Sequence, residues 1–140
     1  MIGLGLSDIT LKGIEAVKKC KKVYLESYTS KLVVDLPFLK DAILADRQIV
    51  ESGDQIINDA KKHDVAFLVI GDVFAATTHN DLRLRALSAG VEVKIIHNAS
   101  VLIAISNTGL DLYKFSRTTS IVFPQANFKP ESPYDVIKEN

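Results

Sequence analysis

The residues of this chain best suited to chemistry sit in three short polar stretches, each following an apolar run. Gly71-Asp72-Val73-Phe74-Ala75-Ala76-Thr77-Thr78-His79 follows the most apolar run of all. Asp72 can accept hydrogen bonds from hydroxyls or an amine, Thr77 and Thr78 can donate them, and the small residues let a ligand approach the backbone. The same stretch also reads as a plain strand-to-helix loop with Thr78 as cap, and pattern alone leaves both readings open. His97-Asn98-Ala99-Ser100 ends a later apolar run in the same way, either as site residues or as helix caps. Gly3-Leu4-Gly5 ends the first run, but the dinucleotide fingerprint G-x-G-x-x-G needs a third glycine where Asp8 stands. These glycines serve either a tight turn or a ligand close to the backbone. His63, His79 and His97 are far apart and accompany a single cysteine, Cys20, so neither a zinc site nor a Cys-His nucleophile is expected. His63 reads as a solvated helix end, His79 as a first-turn helix residue, and Arg83 and Arg85 as a solvated flank or a subunit contact.

Such residues act together only if the elements beneath them gather the three turns. Residues 2–6 read as a first strand and residues 22–26 as a second. Between them Leu11, Ile14, Val17 and Cys20 recur at helical spacing, with Thr10 or Asp8 as N-cap. A helix is expected around residues 36–44, a short strand at 48–50 and a helix over 54–62. Val65-Ala66-Phe67-Leu68-Val69-Ile70 is continuously apolar, as a parallel strand covered on both faces must be, and belongs at the sheet centre. Thr78 and Asp81 fit a capping box for a helix through Leu82, Leu84, Ala86 and Leu87, closed by Gly90. Residues 91–96 read as the next strand, a short helix runs to Ile105, and residues 119–123 read as one more strand. Ser132, Pro133 and Asp135 fit the N-cap, N1 and N3 of a last helix. Strands alternating with helices predict an α/β fold with a mostly parallel sheet flanked by helices. In such sheets ligands bind outside the carboxyl ends of the strands, so the three polar turns should share one rim.

Composition narrows the function. The 140 residues are 47% hydrophobic and 24% charged, the profile of a globular domain. Seventeen basic residues balance seventeen acidic ones, which leaves no basic field for nucleic acid or a membrane surface. A lone cysteine within Lys18-Lys19-Cys20-Lys21-Lys22 suits a reducing, cytoplasmic compartment. No apolar run is long enough to span a bilayer, and the first residues lack the order of a signal peptide.

Read in order, Ile2-Gly3-Leu4-Gly5-Leu6, Asp8-Ile9-Thr10-Leu11-Lys12-Gly13, Val23-Tyr24-Leu25-Glu26 with Tyr28-Thr29-Ser30, the 71–79 loop with Asp81-Leu82, His97-Asn98-Ala99-Ser100, Leu112-Tyr113-Lys114-Phe115 and Pro130-Glu131-Ser132 resemble the diphthine synthases over the whole chain. The resemblance departs at Val73, where the family usually has proline, and the chain is shorter than the family between Leu6 and Asp8 and across residues 30–46, either through trimmed loops or through omitted residues. It implies the N-terminal α/β, cofactor-binding domain of a tetrapyrrole-methylase-like fold, with a second domain expected after Asn140 and a homodimeric assembly. It implies S-adenosylmethionine as methyl donor, leaving as S-adenosylhomocysteine. The acceptor it implies is the amino group of a 3-amino-3-carboxypropyl histidine on elongation factor two, a step of diphthamide biosynthesis. Carried over by position, the cofactor contacts are Leu6 in the first turn, Asp72 and Ala75 in the second, and Ser100 with Val101 in the third. The rival readings are a noncatalytic cofactor-binding or dimerisation half-domain and a nicotinamide-dependent oxidoreductase, the latter weakened by Asp8.

Overall fold

The computed structural model describes residues 1–6, 8–30, 36–75, 79–122 and 128–139. Contacts divide the chain into two compact units, Met1–Ala104 and Ile105–Asn140.

The first unit is an α/β sheet. Strands β1 (Ile2–Gly3), β2 (Lys22–Glu26), β3 (Ile43–Ala45) and β4 (Val65–Val69) lie in the order β1-β4-β2-β3, and every pairing is parallel. Strand β4 is central, as its apolar run requires. Successive side chains of a strand point to opposite faces. Phe67 and Val69 accordingly join Tyr24, Ile56, Ile57, Leu82 and Ala86 on one side of the sheet. Ala66 and Leu68 join Ile2, Leu4, Val17 and Leu25 on the other.

Helix α1 (Leu11–Lys19) begins at Thr10, whose hydroxyl accepts a hydrogen bond from the Gly13 amide at 3.0 Å; of the two candidate caps, Thr10 is the one used. Asp59, on helix α3 (Asp54–Ala60), ties that helix to β2. Its Oδ2 accepts from Lys22 Nζ at 2.7 Å and from the Tyr24 hydroxyl at 2.5 Å. Burial and the Asp59 carboxylate push the Tyr24 phenol up to about 12.

Between residues 36 and 52 the structure reverses the expected order. The expected helix at 36–44 is a single 3-10 turn (Pro37–Leu39) followed by β3, and the expected strand at 48–50 lies inside helix α2 (Arg47–Ser52). The reason is local capping. Asp46 Oδ1 accepts from the Ile49 amide at 2.9 Å and starts α2, and Gly53, at φ +66°, ends it. Arg85, on helix α4 (His79–Ser88), is not a solvated flank: its guanidinium donates to the Ser52 carbonyl and, at 3.3 Å, to the Val50 carbonyl, at the open end of α2. A Cβ at Gly53 would lie 2.8 Å from both Arg85 Nη1 and Leu82 Cδ1. Gly53→Ala should therefore cost about 1–3 kcal/mol, seen as a lower urea midpoint with an unchanged slope.

Three further expectations are corrected. Residues 4–6 leave the strand after Gly3, because Gly5 turns at φ +65°. Residues 91–96 form no strand beyond one parallel bridge, Ile96 with Ile2, since a two-residue β1 offers too short a ladder. In the second unit, residues 119–122 take no regular structure, because a strand needs a neighbour to pair with; Phe123 lies outside the described residues. Helix α6 (Ser132–Glu139) is present there, with its first turn anchored on the Glu131 carbonyl, so Ser132 is its first residue and not its cap. The Thr78 cap expected for α4 also falls outside the described residues.

Candidate functional site

Parallel strands deliver their carboxyl ends to one rim, and three turns meet there. After β1 the backbone bends at Gly5, whose amide donates to the Gly71 carbonyl at 3.1 Å while the Gly71 amide donates back to Gly5 at 2.7 Å. That exchange locks the first turn to the second. A Cβ at Gly3 would meet the Gly71 carbonyl oxygen at 2.7 Å and Asn98 Cβ at 3.0 Å. Gly5 makes the tight turn that one reading of the glycines expected, and Gly3 lets the loops touch each other, a role the sequence did not indicate.

Asp72 joins the second turn to the third. Its Oδ1 accepts from the Phe74 amide at 3.1 Å, and its Oδ2 accepts from the Asn98 amide at 3.1 Å and from His97 Nδ1 at 2.8 Å. Burial pushes the carboxyl up, but these hydrogen bonds outweigh it and hold Asp72 below the usual carboxylate range. Asn98 closes the triangle. Its Nδ2 donates to the Gly3 carbonyl at 3.2 Å and the Asp8 carbonyl at 2.6 Å, while its Oδ1 accepts from the Ala99 amide at 2.8 Å.

Ser100 is buried and stands beside Gly71, its Cα 3.7 Å from where a Gly71 Cβ would be. Its carbonyl accepts from the Ile103 and Ala104 amides, so it starts helix α5 (Val101–Ala104). Of the five residues singled out, Asp72 and Ser100 are drawn together by these contacts. Leu6, Ala75 and Val101 are exposed beside them, one in each turn. Thr77 lies outside the described residues.

Two buried polar groups support the rim from below. Glu26, at the end of β2, accepts from the Tyr28 and Thr29 amides at 2.8 and 2.6 Å and from the Thr29 hydroxyl at 2.6 Å, shaping the turn after β2. His79 is fully buried, edge-on to Phe67, with Nδ1 donating to the Val73 carbonyl at 3.0 Å. Burial pushes its imidazole down, so it is neutral, and its buried Nε2 has no partner among the described residues. Sequence reasoning missed Glu26. Its signal was a carboxylate closing an apolar strand just before hydroxyl-bearing residues.

Three turns hydrogen-bonded to one another thus meet at the carboxyl end of a parallel sheet, and comparison with known proteins gives the family. The model of the tetrapyrrole (corrin/porphyrin) methylases matches residues 1–140, and the chain belongs to that family. It is 54% identical to the diphthine methyl ester synthase of Saccharomyces cerevisiae over 150 positions, covering all of this chain and 50% of the relative. It is 52% identical to the enzyme of that name from Bos taurus, covering all of this chain and 52% of the relative. A crystal structure of diphthine synthase superimposes with a TM-score of 0.82 at 35% identity, covering 99% of this chain and 57% of that one. The chain spans about half the length of the curated relatives it matches. The yeast alignment runs over 150 positions against 140 residues here, so the matched stretch of that relative is the longer.

Proposed function

We propose that the chain is the donor-binding part of an S-adenosylmethionine-dependent methyltransferase that modifies the 3-amino-3-carboxypropyl histidine of elongation factor two. The observation that carries this reading is the rim itself: three turns hydrogen-bonded to one another around Asp72, on a methylase fold. The donor, when bound, supplies an electrophilic methyl on a sulfonium and leaves as a neutral thioether. The residues present fit such a ligand. Asp72 is ionised and can accept from an amine or hydroxyl, Ala75 is small enough for close backbone approach, and Leu6 and Val101 are exposed apolar groups able to cover an aromatic base. Ser100 would orient the ligand through its backbone and hydroxyl. The relatives' name specifies a methyl ester, which widens the acceptor from the amine to the carboxylate.

Methyl transfer needs alignment and exclusion of water more than a nucleophilic triad, and one wall of loops leaves much of a ligand in water. The reading therefore includes a second domain that closes over this rim, a homodimer, and a cytoplasmic setting in which half-buried Cys20 stays a thiol. Calorimetric titration with S-adenosylhomocysteine tests it. The product of the full reading frame should bind, Asp72→Ala should weaken binding about 10-fold or more, and residues 1–140 alone should bind about 10- to 100-fold more weakly than the full product. A full product that does not bind would refute the proposal, and equal affinity of the two lengths would refute the closing domain. Binding without any methyl transfer would leave the noncatalytic binding-module reading standing instead.

A further inference from the structure

We propose that His97 is the proton acceptor for the substrate amine, held in that role by Asp72; this rests on the methyl-transfer reading above. At neutral pH an alkylamine is mostly ammonium and has no lone pair to offer, whereas a carboxylate is already a nucleophile. Methylating the amine therefore needs a base, and forming the ester does not.

The geometry singles out one imidazole. A carboxylate only accepts, so the 2.8 Å contact with Asp72 Oδ2 places the proton of neutral His97 on Nδ1 and the lone pair on Nε2. No hydrogen bond among the described residues reaches Nε2. The His97 side chain is 66% exposed, against 19% for Asp72, and its ring meets Phe74 edge to face with centroids 6.0 Å apart. Asp72 is the charged group in contact with it; Asp8 reaches the same cluster through its backbone carbonyl on Asn98. Of the other two histidines, His79 is sealed in the core, and His63 precedes β4 and lies at the opposite end of the sheet from the rim.

In the step proposed, an N–H bond of the substrate ammonium breaks, its proton bonds to Nε2, and its electron pair stays on nitrogen as the nucleophile. Asp72 balances the imidazolium that results, and the proton then passes from the ring to water.

The test compares two products of one reaction. The full reading frame product and its His97→Gln and His97→Ala variants are given radiolabelled S-adenosylmethionine and elongation factor two carrying the carboxypropyl histidine. Mild alkali releases ester methyl as methanol and leaves methylamine in place. Alkali-stable label should form about 100-fold or more slowly in both variants, a loss at least about 10-fold larger than that of alkali-labile label. The ester formation that remains shows that the variants fold and bind donor. A second readout needs no turnover: nitrogen-15 correlation spectra of the ligand-free protein should show His97 as the Nδ1–H tautomer, and Asp72→Asn should remove that preference. Equal loss of both labels, loss of neither, or an Nε2–H tautomer in the unmodified protein would overturn the assignment of His97. No label of either kind from the unmodified protein would overturn the methyl-transfer reading with it.

Discussion

Leu68→Ala is expected to remove about 2–5 kcal/mol from the stability of the α/β unit, a large share of what a domain this size possesses. Leu68 has no exposed surface and sits on the central strand. It belongs to the face that packs Ile2, Leu4, Val17 and Leu25, on which α1 lies. Truncation loses the transfer free energy of the removed carbons and leaves a cavity. The neighbours cannot easily collapse into it, because β4 is hydrogen-bonded on both sides, to β1 and to β2. Equilibrium urea unfolding measures the loss, and a cost below about 1 kcal/mol would contradict the central placement of this strand.

The second large effect concerns the rim. Asn98→Asp changes almost no volume, yet it turns a two-proton donor into an acceptor facing the Gly3 and Asp8 carbonyl oxygens at 3.2 and 2.6 Å. It also adds a negative charge to the residue whose backbone amide serves Asp72. Both changes push the three turns apart, so S-adenosylhomocysteine affinity should fall about 10- to 100-fold, with each tenfold step equal to about 1.4 kcal/mol. A stability control separates this from general damage. Ile57→Val trims a buried side chain on α3, far from the rim contacts, and should lower stability with affinity unchanged. If Asn98→Asp bound the ligand as tightly as the unmodified protein, the three-turn clamp would not be what holds the site.

The parts of this fold that were legible from residues alone share a physical reason. Val65 to Val69 is apolar without alternation, and only a strand covered on both faces accepts that pattern. Residues 22–26 and the start of α1 at Thr10 or Asp8 were legible because their signals are local, and the structure selects Thr10. Residues 36–52 misled because Leu36, Phe38, Leu39 and Ile43 fit helical spacing, whereas the decisive signals were the Asp46 cap and Gly53 at the two ends of α2. The 119–122 stretch has strand-forming residues, but strand formation depends on a partner strand and no pattern within the segment encodes one.

The site divides the same way. That polar turns follow β1 and β4, and that Asp72 and Ser100 belong to one rim, could be read from element order, although residues 91–96 before the third turn form no strand. The role of Asn98 could not, because its amide reaches residues 95 and 90 positions earlier in the chain, and cap geometry is the more usual use of an asparagine there. The pairing of His97 with Asp72 spans 25 positions and is equally invisible without the fold.

On the function proposed above, this rim serves methyl transfer to a modified histidine of elongation factor two. Its most direct measurement is transfer of label from S-adenosylmethionine by the full reading frame product to two forms of that factor, one carrying the 3-amino-3-carboxypropyl group and one with the unmodified histidine. Label is expected on the first form only, abolished by excess S-adenosylhomocysteine and strongly reduced by Asp72→Ala. Folded protein that binds the donor but labels neither form, or labels both alike, would contradict it.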